Sequence, residues 1–111
     1  MPPPFSVEVR RAGDVHVVAP TGELDFETEA AVGAALAERG DASIVALDLR
    51  SLEFMDSSGL RLVVQQRNEA ERDGWRFVLI PGPPAVNRAL EITQVIRVVE
   101  TAESPEAIAA R

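Results

Sequence analysis

The chain has no cysteine and no tyrosine, and all 11 of its basic side chains are arginine. Without thiols it forms no disulfide, no thiolate metal site and no cysteine nucleophile, which fits a reducing compartment. It carries one histidine, His16, so a paired-histidine metal site is excluded. No apolar run approaches the ~20 residues that a membrane span needs. The start, Met1-Pro2-Pro3-Pro4-Phe5, lacks both the basic and the apolar region of a secretory leader. Clustered positive charge is missing too. With a formal net charge of -7, the chain is a poor match for nucleic acid or anionic lipid, whose phosphates need grouped cations. A cytoplasmic protein with no nucleic-acid and no membrane partner is expected. Its acidity serves solubility and suits a basic partner.

What is present is enough for one packed domain. The chain has 111 residues, of which 46% are hydrophobic and 26% charged, close to an ordinary soluble domain and far from a disordered one. Residues 1–4 read as a flexible proline-rich lead-in and 5–111 as the domain. Phe5-Ser6-Val7-Glu8-Val9 alternates like a half-buried strand. Ala12-Gly13-Asp14 turns the chain, and Val15-His16-Val17-Val18-Ala19 completes a hairpin that Pro20-Thr21-Gly22 ends. Asp25 is placed to cap a helix with Glu27 and Glu29 in its first turn and Ala31, Val32, Ala35 and Leu36 on its apolar stripe, stopping at Gly40.

Ile44-Val45-Ala46-Leu47-Asp48-Leu49 reads as a buried strand. Ser57 or Ser58 opens a second helix with Leu60, Val63 and Val64 inward and Gln65, Gln66 and Glu69 outward. Trp75 to Ile80 is a strand, Ala85 to Glu91 a short helix and Val95 to Val99 a last short strand. Ser104-Pro105-Glu106 opens a terminal helix ending near Arg111. The order predicts an α/β domain with a mixed sheet of about four to five strands and about four helices.

The stretch Leu52-Glu53-Phe54-Met55-Asp56-Ser57-Ser58-Gly59-Leu60 follows a buried strand and opens a helix, the place where sites sit in open α/β sheets. Gly59 in the first turn leaves room for the close approach of a partner. Ser57, at or beside the N-cap, has two compatible roles. It can cap the helix, worth about 1 kcal/mol. It can also accept a phosphate, which the N–H donors and dipole of a helix start favour. A catalytic serine is a poor third reading, because a nucleophile needs a base in reach and His16 lies in a predicted strand, where a solvent-facing place is the plainer expectation. The stretch also departs from the G-x-S-x-G elbow. No enzyme is expected. Nor is a cofactor or a metal: Glu23, Asp25, Glu27 and Glu29 straddle a helix start, where acids belong for dipole reasons, and no Walker-type loop is present.

Phe54-Met55-Asp56-Ser57-Ser58-Gly59-Leu60 resembles the signature of bacterial anti-sigma factor antagonists, founding members of the STAS domain family. Thr21-Gly22-Glu23-Leu24-Asp25 resembles the loop before that family's first helix. Ile44 to Leu49 resembles the strand leading to the motif, and Pro84-Ala85-Val86-Asn87-Arg88-Ala89-Leu90 its third helix. The resemblance implies a STAS-like domain that binds an anti-sigma factor, itself a serine kinase of the histidine-kinase-like ATPase fold, and so frees a sigma factor. It implies that the kinase phosphorylates Ser57, directly after Asp56, and that a PP2C-type phosphatase resets it. It further implies a partner-binding face of Glu23, Asp25, Asp56, Ser57, Ser58 and Gly59. A STAS module that binds without switching, as a lipid-transport accessory or a scaffold subunit does, is the alternative. Gln94 departs from the pattern, standing where many relatives carry glycine, so a turn of different shape is expected there.

Overall fold

Alternate residues of the apolar runs divide between two sides of a sheet. Val18, Val45, Leu47, Phe77 and Leu79 pack on one side, and Val15, Val17, Ala46, Val78 and Ile80 on the other. Strand geometry dictates that period of two. Cover on both sides explains why Ile44-Val45-Ala46-Leu47 is apolar throughout. The computed structural model describes residues 4–109. In chain order its elements are β1 (Ser6–Ala12), β2 (Val15–Leu24), α1 (Glu29–Ala37), β3 (Ile44–Asp48), β4 (Leu52–Met55), α2 (Ser57–Asp73), β5 (Arg76–Ile80), α3 (Pro84–Ile92), a 3-10 turn (Val95–Arg97), β6 (Glu100–Thr101) and α4 (Pro105–Ala109).

The sheet runs β1-β2-β3-β5-β6. The β1–β2 pair is antiparallel and the rest are parallel, with β4 lying parallel beside the far end of β2. This is the α/β domain with a mixed sheet and four helices that the alternation predicts. Helices α1, α2 and α3 cover one side, contributing Val32, Leu36, Leu62, Val63, Val86 and Leu90. The short α4 presses Ile108 on the other. Its start is as expected: Pro105 is the first helical residue, and Ser104 Oγ accepts the Ala107 N–H at 3.1 Å. Its expected end near Arg111 and residues 1–3 of the lead-in lie outside the described residues.

Four local expectations change. β2 does not end at Pro20. Its pairing with β3 stops at Val18, and from Gly22 it takes β4 as a new parallel partner. The register slips between Gly22 and Glu23, and Gly22 has φ +96°, a conformation that a Cβ would penalise. The extra strand β4 is short, with only its ends, Leu52 and Met55, buried, so it shows no alternation. The expected strand over residues 95–99 is instead the 3-10 turn Val95–Arg97 followed by a turn, and the pairing moves on to β6. Gln66 is buried, because it continues the α2 stripe of Leu62, Val63 and Ala70 at helical spacing.

Gln94 adopts φ +61° and ψ +15°, the left-handed conformation that glycine favours. The turn before the 3-10 segment therefore keeps a glycine-like backbone. Away from the site, Asp48 is buried and holds Arg50 through contacts of 3.0 and 2.8 Å, which raises the guanidinium pKa above its ordinary value.

Candidate functional site

The carboxyl ends of β2 and β4 lie side by side and open into the two loops that precede α1 and α2. Glu23 pairs with Phe54 and Leu24 with Met55, and the Asp56 N–H donates to the Leu24 carbonyl at 3.1 Å. This register brings Glu23 and Asp25 alongside Asp56 and Ser57, since paired strands stand about 4.8 Å apart.

Asp56, not a serine, is the N-cap of α2. It has extended φ and ψ, and its Oδ1 accepts the Ser58 N–H at 2.7 Å. Its carbonyl accepts the N–H groups of Gly59 and Leu60. One aspartate thus satisfies two of the donors that a helix start leaves open, those of Ser58 and Gly59, and accepts the first regular helical bond from Leu60. Ser57 is consequently the first helical residue. It is exposed, and its hydroxyl makes no hydrogen bond among the described residues.

Ser58 and Gly59 are buried. A Cβ on Gly59 would collide with Met55 Cγ, lie 2.7 Å from Met55 Sδ and 3.1 Å from Leu24 Cγ. The close approach at Gly59 is therefore made from inside the protein, by the end of β4.

Asp25 does not cap α1. Its Oδ1 accepts the N–H groups of Glu27 at 3.0 Å and Thr28 at 3.1 Å, closing a turn over residues 25–28. Thr28 stands at the helix start, with its hydroxyl accepting the Asp25 N–H at 2.9 Å and donating to the Glu23 carbonyl at 2.8 Å. Asx side chains favour such local turns over the helix itself. Of the expected first-turn acids, Glu29 lies in the first turn and Glu27 precedes it. Glu29 meets Arg61 of α2, whose Nη2 donates to both carboxylate oxygens, at 2.9 and 3.1 Å.

His16 is buried rather than solvent-facing. It lies on the helix-covered side of β2, and its Nε2–H donates to the Ala35 carbonyl at 2.8 Å, a group that can only accept. Leu24, eight residues further on, is about 26 Å away at strand rise. His16 therefore serves no base role at Ser57. Among the described residues no group of three or more acidic or histidine side chains is arranged to hold a metal ion. Among the described residues no helix is long and apolar enough to cross a membrane.

Two aromatic side chains at the ends of β2 and β4 are exposed where sequence patterning gave no warning. Phe26 is 76% exposed in the turn after β2, and Phe54 is 45% exposed on β4. Phe54 lines a shallow groove with Pro84, Ala85 and Arg88 of α3. Exposed aromatic side chains are enriched where proteins bind one another.

The family model of the STAS domain matches residues 6–108. The chain belongs to the STAS domain family. STAS domains are non-catalytic regulatory modules. The chain is 27% identical over 98 residues to a Paenibacillus polymyxa protein named anti-sigma F factor antagonist, covering 86% of this chain and 84% of that one. The crystal structure of an anti-sigma factor antagonist from Mycobacterium paratuberculosis superposes with a TM-score of 0.80 at 24% identity, over 99% of this chain and 97% of the other. The Bacillus protein SpoIIAA, solved in its phosphorylated form, superposes with a TM-score of 0.69 at 24% identity, over 96% and 98%. These superpositions establish the STAS fold.

Proposed function

We propose that this STAS domain is an anti-sigma factor antagonist released by phosphorylation of Ser57. In this reading the unmodified chain binds an anti-sigma factor that is also a serine kinase, and so frees the sigma factor. The kinase transfers the γ-phosphoryl group of ATP to Ser57. The Oγ–P bond forms, the bond from that phosphorus to the bridging oxygen breaks to give ADP, and the hydroxyl proton passes to a base of the kinase. A PP2C-type phosphatase hydrolyses the ester and restores the hydroxyl.

The observation that carries this reading is the exposed Ser57 hydroxyl, free of partners among the described residues, at the first position of a helix capped by its neighbour. The name of the Paenibacillus relative supports it. The proposed contact face is Glu23, Asp25, Asp56, Ser57, Ser58 and Gly59, joined by Phe26 and Phe54. Ser58 and Gly59, being buried, act by fixing the turn that presents Ser57. Phosphate adds about -1.5 to -2 charges to a face already rich in carboxylates. Losing about 3 kcal/mol of binding weakens affinity more than a hundredfold, so no large conformational change is required.

The test is incubation with the cognate kinase and ATP, followed by peptide mapping and titration calorimetry. A single phosphate on Ser57, tight binding by Ser57→Ala in the presence of ATP, and weak binding by the phosphorylated chain are expected. Phosphate on Ser58 or Ser51, or equal affinity for the parent, Ser57→Ala and the phosphorylated chain, overturns the reading and favours a non-switching module.

A further inference from the structure

Arg61 stands one helical turn beyond Ser57 on α2, at i+4. Residues at that spacing share a face, with Cβ atoms about 5–6 Å apart. Helical side chains also lean toward the N-terminus, so the long arm of Arg61 has the direction and length to reach back toward Ser57. In the unmodified protein that guanidinium is engaged elsewhere. A single nitrogen, Nη2, reaches both oxygens of Glu29 on α1, and Arg61 is itself 55% exposed. The pair is therefore a one-nitrogen contact between an exposed arginine and a half-buried Glu29 that is 25% exposed, near the surface class of ion pairs that contribute little stability.

A phosphate on Ser57 changes the competition for this arginine. Glu29 offers one charge across two helices, whereas the phosphate offers about two charges and three acceptor oxygens on the same helix face. The other charged groups around this end of the domain are the acids Asp56 beside the phosphate, Glu23 at the end of β2, Asp25 and Glu27 on the loop that follows and Glu53 on β4, with Arg88 of α3 across the groove from Phe54. Glu29 keeps some stabilisation after losing its partner, because it stands in the first turn of α1, where the helix dipole favours a carboxylate.

We infer that Arg61 is the internal counter-ion of phospho-Ser57, exchanging Glu29 for the phosphate on modification. The inference rests on Ser57 being the phosphoacceptor and adds how the domain accommodates that charge. The exchange ties the phosphate to its own helix while the Glu29 carboxylate is uncovered beside it. The surface thereby changes at two points, on α2 and on α1, from one covalent event.

The experiment uses the full chain with phosphoserine installed at position 57 during synthesis, so that it does not depend on any kinase. The second ionisation of the phosphate is followed by phosphorus NMR in the parent, Arg61→Gln and Glu29→Gln. An adjacent cation favours the dianion, so the parent midpoint should lie about half a pH unit or more below that of Arg61→Gln. Glu29→Gln should lower the midpoint by less than Arg61→Gln raises it, because Arg61 has already left Glu29 and only the repulsion of the uncovered carboxylate is removed.

Equal midpoints in the parent and Arg61→Gln overturn the inference. So does a fall in Glu29→Gln as large as the rise in Arg61→Gln, since it would show that Glu29 still held the arginine. Thermal unfolding of each variant confirms that the fold is intact, as expected for a surface pair. The two claims fail separately. A kinase that ignores Ser57 sinks the proposed function and leaves these midpoints unchanged, while midpoints indifferent to Arg61 sink the exchange and leave the phosphorylation site standing.

Discussion

Gly59 offers the sharpest test of how the motif is built. Replacing it with alanine puts a Cβ against Met55 Cγ, 2.7 Å from Met55 Sδ and 3.1 Å from Leu24 Cγ, where Met55 and Leu24 are buried. Alanine in place of glycine would by itself favour the helix by up to about 1 kcal/mol. Overpacking a filled core costs about 1–3 kcal/mol, so the clash wins and Gly59→Ala should destabilise by about 1–2 kcal/mol. For a domain of this size that is a fall of about 4–8 °C in the unfolding midpoint. Met55→Ala removes the main obstacle and costs about 2–5 kcal/mol of its own. In that background Gly59→Ala should lose its penalty, giving a coupling of about 1–3 kcal/mol in a double-mutant cycle measured by urea unfolding. Equal losses in both backgrounds would refute the packing argument. A Gly59→Ala variant that kept its stability but lost partner binding would instead restore the expectation that the glycine is reserved for a partner's approach.

Ser57→Asp should unfold within about 2 °C of the parent, since an acid in the first helical turn suits the dipole and the site is exposed; a fall of ten degrees would show Ser57 to be structural. Asp56→Ala removes the acceptor of the Ser58 N–H and should cost about 1 kcal/mol, or about 4 °C by calorimetry, with no change counting against its capping role. Gln94→Gly relieves a left-handed residue, worth about 1–2 kcal/mol, against an unfolded-state cost of about 0.5–1 kcal/mol. The midpoint should rise by about 2 °C or more, and a fall would show that the Gln94 side chain matters more than its backbone.

The parts of this protein legible in its sequence are those governed by local rules. The alternation of Val45, Ala46 and Leu47, and of Phe77, Val78 and Leu79, announces strands covered on both sides. Ser104 and Pro105 announce a helix start because capping chemistry needs only three or four neighbouring residues. The same locality misled at Asp25, and at Ser57, expected at or beside the N-cap, it left the choice of cap open. Asp25 has the chemistry of a cap, but its carboxylate closes a turn first, and the helix waits for Thr28. Ser57 and Asp56 are both good caps by type, and only the backbone decides between them: Asp56 is bound to the Leu24 carbonyl, which fixes it in extended conformation at the end of β4.

What escaped the sequence depended on residues far apart in the chain. β4 exists because β2 outruns β3 and offers a free edge from Gly22 onward, a property of the sheet and not of Leu52-Glu53-Phe54-Met55. His16 looked solvent-facing because its acceptor is a helix carbonyl 19 residues away. Arg61 was unremarkable as a charged residue on an exposed helix face, since its partner Glu29 lies 32 residues upstream. Its spacing from Ser57 was visible all along, but spacing alone said only that the two share a face. Once the fold shows that the arginine is held by a single nitrogen, its position one turn from a phosphoacceptor becomes a specific physical claim. The same side chain that bridges two helices in one charge state is placed to bind within one helix in the other.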